Sequence, residues 1–169
     1  MKFLKNYWRL VAAVVIVAGA VTLVFVTHNS GKNTKTATTK PQQPEENCGP
    51  YRSDRDVKIG GETITAETAN SLAESQKGLG GRPCIPKNRG MLFGFTKPGY
   101  YAFWMKDMKF PIDIVWIDSQ HKVVGAIRNL SPKTYPHTFK NDSPAQYVLE
   151  LKANRSKELN INSGTVINF

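Results

Sequence analysis

Residues 103–118 (FWMKDMKFPIDIVWID) constrain the fold of this chain more than any other segment. Two runs of apolar residues, at 100–105 and 112–117, lie on either side of a bend that contains Pro111. Short runs of β-branched and aromatic residues are typical of buried strands, whereas proline is confined to the start or the edge of a strand. This segment therefore predicts two strands joined by a turn at residues 106–109.

Strand-like patterns recur along the rest of the chain after residue 48. Residues 57–66 alternate around Gly60-Gly61 as a hairpin does, and residues 146–151 (QYVLEL) alternate between apolar and polar. Residues 71–74 (SLAE) fit a capping box that begins a short helix. We count seven or eight short strands and one or two short helices, without the alternation of strands and helices that parallel sheets require. The predicted fold is mainly β, a small antiparallel β-sandwich or barrel-like domain.

The first 47 residues predict a membrane attachment. Residues 10–26 (LVAAVVIVAGAVTLVFV) are apolar and uncharged, at the short end of what crosses a bilayer. We expect a transmembrane anchor in contact with membrane lipid, preceded by a basic cytoplasmic tail at residues 1–9. A cleaved signal peptide is the alternative. Residues 27–47 hold almost no apolar side chains and predict a flexible linker. Residues 48–169 would then be a domain outside the cytoplasm, or a secreted one if cleavage occurs.

The two cysteines of the chain, Cys48 and Cys84, agree with that location. An even number of cysteines in an exported domain predicts a disulfide. Closing a loop of about 36 residues would stabilise the domain by roughly 3–4 kcal/mol. A metal site is not expected, because the three histidines are scattered and no metal-ligand spacing is present. No cofactor is predicted either.

The formal net charge of +10 is unevenly distributed along the chain. Residues 1–40 hold six Lys and Arg and no acidic residue, whereas the remainder holds 17 basic and 13 acidic residues. Much of the positive charge therefore flanks the apolar run, where it can attract anionic lipid headgroups. The folded part is only mildly basic, and nucleic acid is not expected as a partner.

Several motifs in the folded part occur together and in order. They are Lys77-Gly78-Leu79 with Arg82, residues 90–93 (GMLF), 103–108 (FWMKDM), 111–114 (PIDI) and 147–151 (YVLEL). From about residue 57 to residue 169 the chain resembles a widespread bacterial and archaeal family, the domain of unknown function numbered 192. The resemblance implies a small β-rich fold, often exported or membrane-anchored, with no established activity. This chain departs from the family pattern at Gly80-Gly81, before Arg82.

Charged residues within the apolar regions are the candidate site residues. Asp113 begins a strand that is apolar on both faces, and an unpaired buried carboxylate is costly. We expect Asp113 to form a structural ion pair with Arg82 or Arg89; a ligand-binding or catalytic role and simple exposure are the alternatives. Trp104, like Met91 and Met105, is expected in the core. The bend at Lys106-Asp107 is expected to be a solvated turn, although loop residues often carry function.

Two hypotheses about function follow. The first is a membrane-tethered binding module for a small ligand, a glycan or an envelope protein; its candidate residues are Arg82, Arg89, Trp104, Lys106, Asp107 and Asp113. The second is a cell-envelope hydrolase that uses Asp107 and Asp113 as an acid–base pair. No motif of a serine hydrolase, zinc protease, P-loop or dinucleotide-binding protein is present, so enzymatic activity stays open.

Overall fold

The computed structural model of the protein describes residues 47–169. The predicted basic tail, the transmembrane anchor or signal peptide, and all of the linker except Asn47 lie outside the described residues. Within residues 47–169, no helix has the length and apolar character needed to cross a membrane.

Eight strands, two short α-helices and a 3-10 helix make up the described part of the chain. In chain order they are β1 (Arg55–Ile59), β2 (Glu62–Ala69), α1 (Leu72–Lys77), β3 (Arg89–Gly99), β4 (Phe103–Trp104), β5 (Ile112–Ile117), β6 (Val123–Leu130), the 3-10 helix (Pro132–Thr134), β7 (Thr138–Phe139), β8 (Ala145–Lys152) and α2 (Arg155–Glu158). This confirms the mainly β content, the number of strands and the two short helices.

Six of the strands form one sheet in the order β1-β2-β3-β8-β5-β6, and β4 pairs with β7 in a second, two-stranded sheet. Strands β2 and β3 run parallel, and the other neighbours run antiparallel. A parallel pair needs a crossover connection, which α1 and residues 78–88 supply here. The prediction of purely antiparallel pairing was therefore wrong: the main sheet is mixed, and the strands of residues 47–169 do not close a barrel.

Both faces of the main sheet are covered, which explains why all six residues of β5 are buried. Alternate residues of a strand point to opposite faces. Val115 belongs to one core cluster, together with Leu149 of β8, whereas Ile114 and Trp116 belong to a second cluster. The second cluster also contains residues of the crossover connection, such as Leu79. Strand β5 therefore has no solvent-facing side, and β8 has no exposed residue.

The C-terminal segment contacts both edges of the main sheet. Asn168 forms a bridge with Lys58 in β1, and Val166 forms a bridge with Lys122, which precedes β6. Between these bridges, Ile167 is fully buried in the first core cluster. The segment makes these isolated bridges instead of a regular strand.

The beginning of α1 lies where the capping box predicts it. The side-chain oxygen of Ser71 accepts a hydrogen bond from the backbone N–H of Glu74, at 3.2 Å. The Glu74 carboxylate, in turn, accepts from the backbone N–H of Asn70 at 2.9 Å. One side chain thus satisfies a donor inside the helix and the other a donor just before it.

The strand predicted at residues 100–105 is much shorter in the structure. Only Phe103–Trp104 form a strand, and β4 pairs with β7 and not with the main sheet. Trp104 contacts the ring of Tyr135 edge to face, with centroids 6.4 Å apart, and is 42% exposed. The prediction of a core tryptophan at this position was wrong. The predictions for Met91 and Met105 are confirmed, since both are buried.

Candidate functional site

A cleft walled by aromatic side chains lies between α1 and the segment around β4, with the β3 and β8 strands at its base. It has a volume of about 180 Å³. Its lining consists of Ser75, Gln76, Lys77, Gly78, Leu79, Phe93, Phe95, Tyr101, Ala102, Phe103, Trp104, Lys106, Met108 and Glu150. We call it the aromatic cleft.

The walls of the aromatic cleft are held in place by ring contacts. Phe95 and Tyr101 stack with their ring centroids 3.5 Å apart, and Phe93 meets Phe103 edge to face at 5.0 Å. Phe103 also packs edge to face against the buried Trp116, at 6.4 Å. These are the preferred geometries of aromatic pairs. The ring faces are therefore positioned by the core before any ligand enters.

Glu150 lies at the base of the cleft, in the middle of β8. Its neighbours in the sheet are Met91 of β3 and Ile114 of β5. The residue is only 4% exposed, and its Oε2 has no hydrogen-bond partner among the described residues. The backbone N–H of Leu79 donates a hydrogen bond to the carboxyl group. The cleft thus contains one polar group that the protein itself satisfies only in part.

Burial changes the protonation state of this carboxyl group. It raises the pKa of Glu150 to about 8, because the charged form loses its hydration. The positive charge of Arg82 and the hydrogen bond from Leu79 oppose the shift and are too weak to cancel it. Glu150 is therefore mostly protonated at neutral pH, and its carboxyl group can donate a hydrogen bond as well as accept one.

Arg82 forms a two-pronged ion pair with Glu67 of β2. The guanidinium Nη1 and Nη2 lie 2.7 and 2.8 Å from the two carboxylate oxygens. The guanidinium also lies over the ring of Tyr51, 4.6 Å from its centroid, and the Tyr51 hydroxyl donates to the backbone oxygen of Cys84. Arg82 does tie the proline-containing loop to the sheet, but through Glu67 and not through Asp113.

Arg89 is likewise not a partner of Asp113. Its Nη1 donates to the side-chain oxygen of Ser53 at 2.8 Å and to the backbone oxygen of Arg52 at 3.5 Å. Arg89 is not part of the lining of the aromatic cleft. Arg89 therefore does not share a site with Trp104, which does line the cleft.

Asp113 is fully buried, and its carboxylate is surrounded by hydrogen-bond donors. One oxygen accepts from the backbone N–H groups of Asn129 and Asn154, both at 2.8 Å. The other accepts from the backbone N–H and the hydroxyl of Ser156, at 2.8 and 2.6 Å. The prediction of an arginine partner was wrong, because four donors of the backbone and of Ser156 already compensate the charge. With both oxygens occupied, this carboxylate is not placed to contact a substrate.

The bend after β4 places the two candidate residues Lys106 and Asp107 differently. The ammonium of Lys106 lies 5.8 Å from the centre of the Trp104 ring, and both residues line the cleft. Asp107 is exposed in a left-handed backbone conformation, with φ 58°, and its backbone oxygen accepts from Gly81 at 2.8 Å. Of the sequence candidates, Trp104 and Lys106 therefore meet at the cleft, and Asp107 lies beside it.

The most informative site residue, Glu150, was missed in the sequence. The signal was an acidic residue at the centre of a strand-like run, between Leu149 and Leu151. Because only half-buried sheets have a polar face, the alternation in residues 146–151 is normally read as one face turned to solvent. The aromatic residues Phe93, Phe95 and Tyr101 were assigned to strands without a role in a site.

Cys48 and Cys84 form the predicted disulfide, which confirms that prediction. It joins residues 36 positions apart and links the start of the described chain to the loop that carries Arg82. Among residues 47–169 there is no group of three or more His, Cys, Asp or Glu side chains that could hold a metal ion.

Two solved structures resemble this domain. A protein of unknown function from Novosphingobium aromaticivorans has 25% sequence identity and a TM-score of 0.64, over 68% of this chain and 84% of that chain. A protein from Sinorhizobium meliloti, provisionally called a transcription regulator, has 26% identity and a TM-score of 0.62, over 67% of this chain and 89% of that chain. No curated protein matches this chain.

The sequence pattern of one protein family matches residues 55–169, which is all but the first few residues of the described part. That family is DUF192, which is described as an uncharacterised conserved region. The match begins at the first residue of β1 and reaches the end of the C-terminal segment that contacts both sheet edges. The chain belongs to the DUF192 family.

Proposed function

We propose that residues 47–169 form a binding domain that takes a small, ring-containing organic molecule into the aromatic cleft. The observation that carries the proposal is Glu150, whose buried Oε2 has no hydrogen-bond partner among the described residues. The great majority of buried polar atoms in proteins are hydrogen-bonded, and one left without a partner costs about 1–3 kcal/mol. A ligand in the cleft would supply the missing partner.

The composition of the cleft supports the same proposal. Small-molecule sites are concave, mostly apolar, and contain a few polar groups that orient the ligand. Here the walls are aromatic rings, and Glu150 is the polar group at the base. Flat ring faces favour a ligand that is itself flat or has a flat apolar face. Because the rings are fixed by core contacts such as Phe103 on Trp116, little ordering would be needed on binding.

The geometry favours binding over the hydrolase alternative. An acid–base pair needs two carboxyl groups that can both reach the substrate. Asp113 is fully buried with four donors on its oxygens, and Asp107 is exposed beside the cleft. These two residues therefore do not form such a pair around a shared space.

The proposal is tested by blocking the cleft. Ala102 is an exposed lining residue, so Ala102→Trp would fill the mouth without disturbing the core, and Ala102→Ser is the matched control. The full-length chain is titrated with phenol, indole and methyl glucoside while the indole N–H signal of Trp104 is followed by NMR. We expect at least one probe to shift this signal in the wild type and in Ala102→Ser, but not in Ala102→Trp. No shift in the wild type, or an equal shift in Ala102→Trp, would overturn the proposal.

We also propose that this domain is held outside the cytoplasm by the apolar segment at residues 10–26. The disulfide between Cys48 and Cys84 supports that compartment, because such bonds persist mainly in oxidising environments. Expressed in a bacterial host, the full-length chain should sediment with membranes and be released by detergent but not by salt. Added protease should digest it in spheroplasts. A chain that stays in the soluble fraction with two reduced thiols would contradict this location.

A further inference from the structure

The aromatic cleft has a charged rim in addition to its apolar walls. Lys77 at the end of α1 and Lys106 after β4 both line it. The two segments meet at Gly80, where an added Cβ would lie 2.8 Å from the backbone oxygen of Lys77 and 3.2 Å from that of Lys106. Two cationic residues from distant parts of the sequence thus have neighbouring backbones at Gly80, and both line the cleft.

Neither rim lysine forms an ion pair with an acidic residue in the described part of the chain. The acidic side chains nearby are already engaged. Glu74 of α1 binds Arg52 at 2.7 Å, and Glu67 binds Arg82. Asp107 follows Lys106 directly and is exposed to solvent, where its charge is screened. The positive charge at the rim is therefore not neutralised by a direct partner.

The base of the cleft does not offset this charge at neutral pH. Burial keeps the Glu150 carboxyl group mostly protonated, and the neighbouring charge that acts on it most is the guanidinium of Arg82. The two charged side chains of the lining that lack a direct partner, Lys77 and Lys106, are thus both positive, and an uncharged carboxylic acid faces the interior. A cationic ligand would be repelled on entry, whereas an anion would be attracted.

From this arrangement we infer that the ligand of the aromatic cleft is a small anionic ring compound. The carboxylate of the ligand would lie at the rim, near Lys77 and Lys106, and its ring would lie between the aromatic walls. A hydroxyl or carbonyl oxygen of the ligand would accept a hydrogen bond from Glu150. This inference rests on the proposed function and adds the charge and the orientation of the ligand. A protonated carboxyl group donates to such an oxygen, and the ammonium groups form charge-assisted hydrogen bonds with the carboxylate.

Three probes with the same ring and different charges test this inference: 4-hydroxyphenylacetate, 4-hydroxyphenylacetamide and tyramine. Each is titrated calorimetrically into the full-length chain in a non-ionic detergent, at neutral pH, below the pKa of about 8 of Glu150. We expect the anion to bind about tenfold or more tightly than the amide, because a partly desolvated ion pair contributes roughly 1.4 kcal/mol or more. Tyramine should bind most weakly.

The double variant Lys77→Gln/Lys106→Gln should reduce the affinity for the anion to that for the amide and leave the amide unchanged. The charge-matched control is Lys122→Gln/Lys157→Gln, two exposed lysines outside the lining, which should keep the preference. Equal affinities for the three probes, tighter binding of tyramine, or a preference that survives the Lys77/Lys106 change would overturn the inference.

The failure of this inference is distinguishable from that of the proposed function. If none of the three probes binds, the anionic class is wrong. The proposed function still stands if phenol, indole or methyl glucoside shifts the Trp104 signal in the wild type and the Ala102→Trp variant shows no such shift. If that experiment fails as well, the cleft is not a binding site.

Discussion

Ser156 holds the carboxylate of Asp113 with two hydrogen bonds to the same oxygen, from its backbone N–H at 2.8 Å and from its hydroxyl at 2.6 Å. Asp113 lies in β5 and Ser156 in the first turn of α2, and both are fully buried. The second oxygen accepts from the backbone N–H groups of Asn129 and Asn154. This carboxylate thus joins the central strand to β6 and to the start of α2.

Asp113→Asn should destabilise the domain strongly. The amide would lose the charge that strengthens four hydrogen bonds, and its NH2 group would face backbone donors with no acceptor. We expect the free energy of unfolding to fall by about 3 kcal/mol or more. Urea denaturation of the full-length chain measures this change. Asp142→Asn is the control, since Asp142 is exposed and should cost less than about 0.5 kcal/mol. Equal effects of the two changes would contradict the buried role of Asp113.

Glu150 should make the stability of the domain depend on pH. Its pKa is about 8 in the folded state against 4.5 for the free group, so the folded state retains a proton that the unfolded state releases between these values. The free energy of unfolding therefore decreases as pH rises from 4.5 to 8, by at most about 5 kcal/mol. Glu150→Gln should remove this decrease, because glutamine stays neutral.

The measurement is urea denaturation of the wild type and Glu150→Gln at several pH values. The two proteins should be similar in stability near pH 4.5, and the variant should be the more stable one above pH 8. Asp142→Asn, which changes an exposed carboxylate, should follow the wild type. Parallel curves for Glu150→Gln and the wild type would show that Glu150 is ionised in the folded state.

A double-mutant cycle should give a coupling free energy for the ion pair of Arg82 with Glu67. Arg82→Gln leaves a carboxylate that is only 3% exposed without its partner, and we expect a loss of about 3–5 kcal/mol. Arg82→Gln/Glu67→Gln removes both charges and should recover most of that loss. Additive effects of the single variants, measured by urea denaturation, would contradict a coupled pair.

Arg82 should also influence the titration of Glu150. Its positive charge lowers the pKa of the buried carboxyl group and so opposes the effect of burial. In Arg82→Gln/Glu67→Gln the pKa of Glu150 should therefore rise further above its ordinary value. The carboxyl carbon signal of Glu150, followed by NMR during a pH titration, reports this change. A pKa that falls in the double variant would show that Arg82 does not act on Glu150.

The disulfide should stabilise the domain mainly by restricting the unfolded chain. Replacing Cys48 and Cys84 by serine should lower the free energy of unfolding by roughly 3–4 kcal/mol, as expected for a loop of about 36 residues. The wild type should lose a similar amount when urea denaturation is repeated with reductant, and the serine variant should not respond to reductant. Two titratable thiols in the wild-type protein without reductant would contradict the bond.

The two tryptophans of the described domain should respond very differently to truncation. Trp116 is 1% exposed in the second core cluster, so Trp116→Ala should cost about 3–5 kcal/mol of stability. Trp104 is 42% exposed, so Trp104→Ala should cost about 1 kcal/mol or less. Urea denaturation of both variants compares them directly. If Trp104→Ala lowered the free energy of unfolding as much as Trp116→Ala, the Trp104 side chain would be part of the core.

Features that depend on residues close together in the sequence were predictable. The hairpin at Gly60-Gly61 and the first turn of α1 at Ser71 follow from turn and cap preferences, and both occur. The run at residues 112–117 was recognisable as a strand because β-branched residues fill it. The candidate site was only partly predictable: Trp104 and Lys106 line the cleft, whereas Arg89 and Asp113 do not.

The errors concern contacts between distant residues. Asp113 was given an arginine partner, since an ion pair is the common way to compensate a buried carboxylate, but backbone N–H groups brought by β6 and α2 compensate it here. Arg82 had several acidic residues available, and the parallel pairing of β2 with β3 puts Glu67 within its reach. The parallel pair itself depends on the path of the crossover connection.

By itself, the sequence determined the mainly β class, the disulfide and the family, because strand patterns, paired cysteines and ordered motifs are properties of the chain before it folds. Only the tertiary structure decided that Glu150 lies buried beside aromatic rings and that Lys77 and Lys106 line the same cleft. The physical reason is burial on both faces of the sheet. A residue's solvation depends on which segments cover it, and in this fold α1 and the segment around β4 cover the face to which Glu150 points.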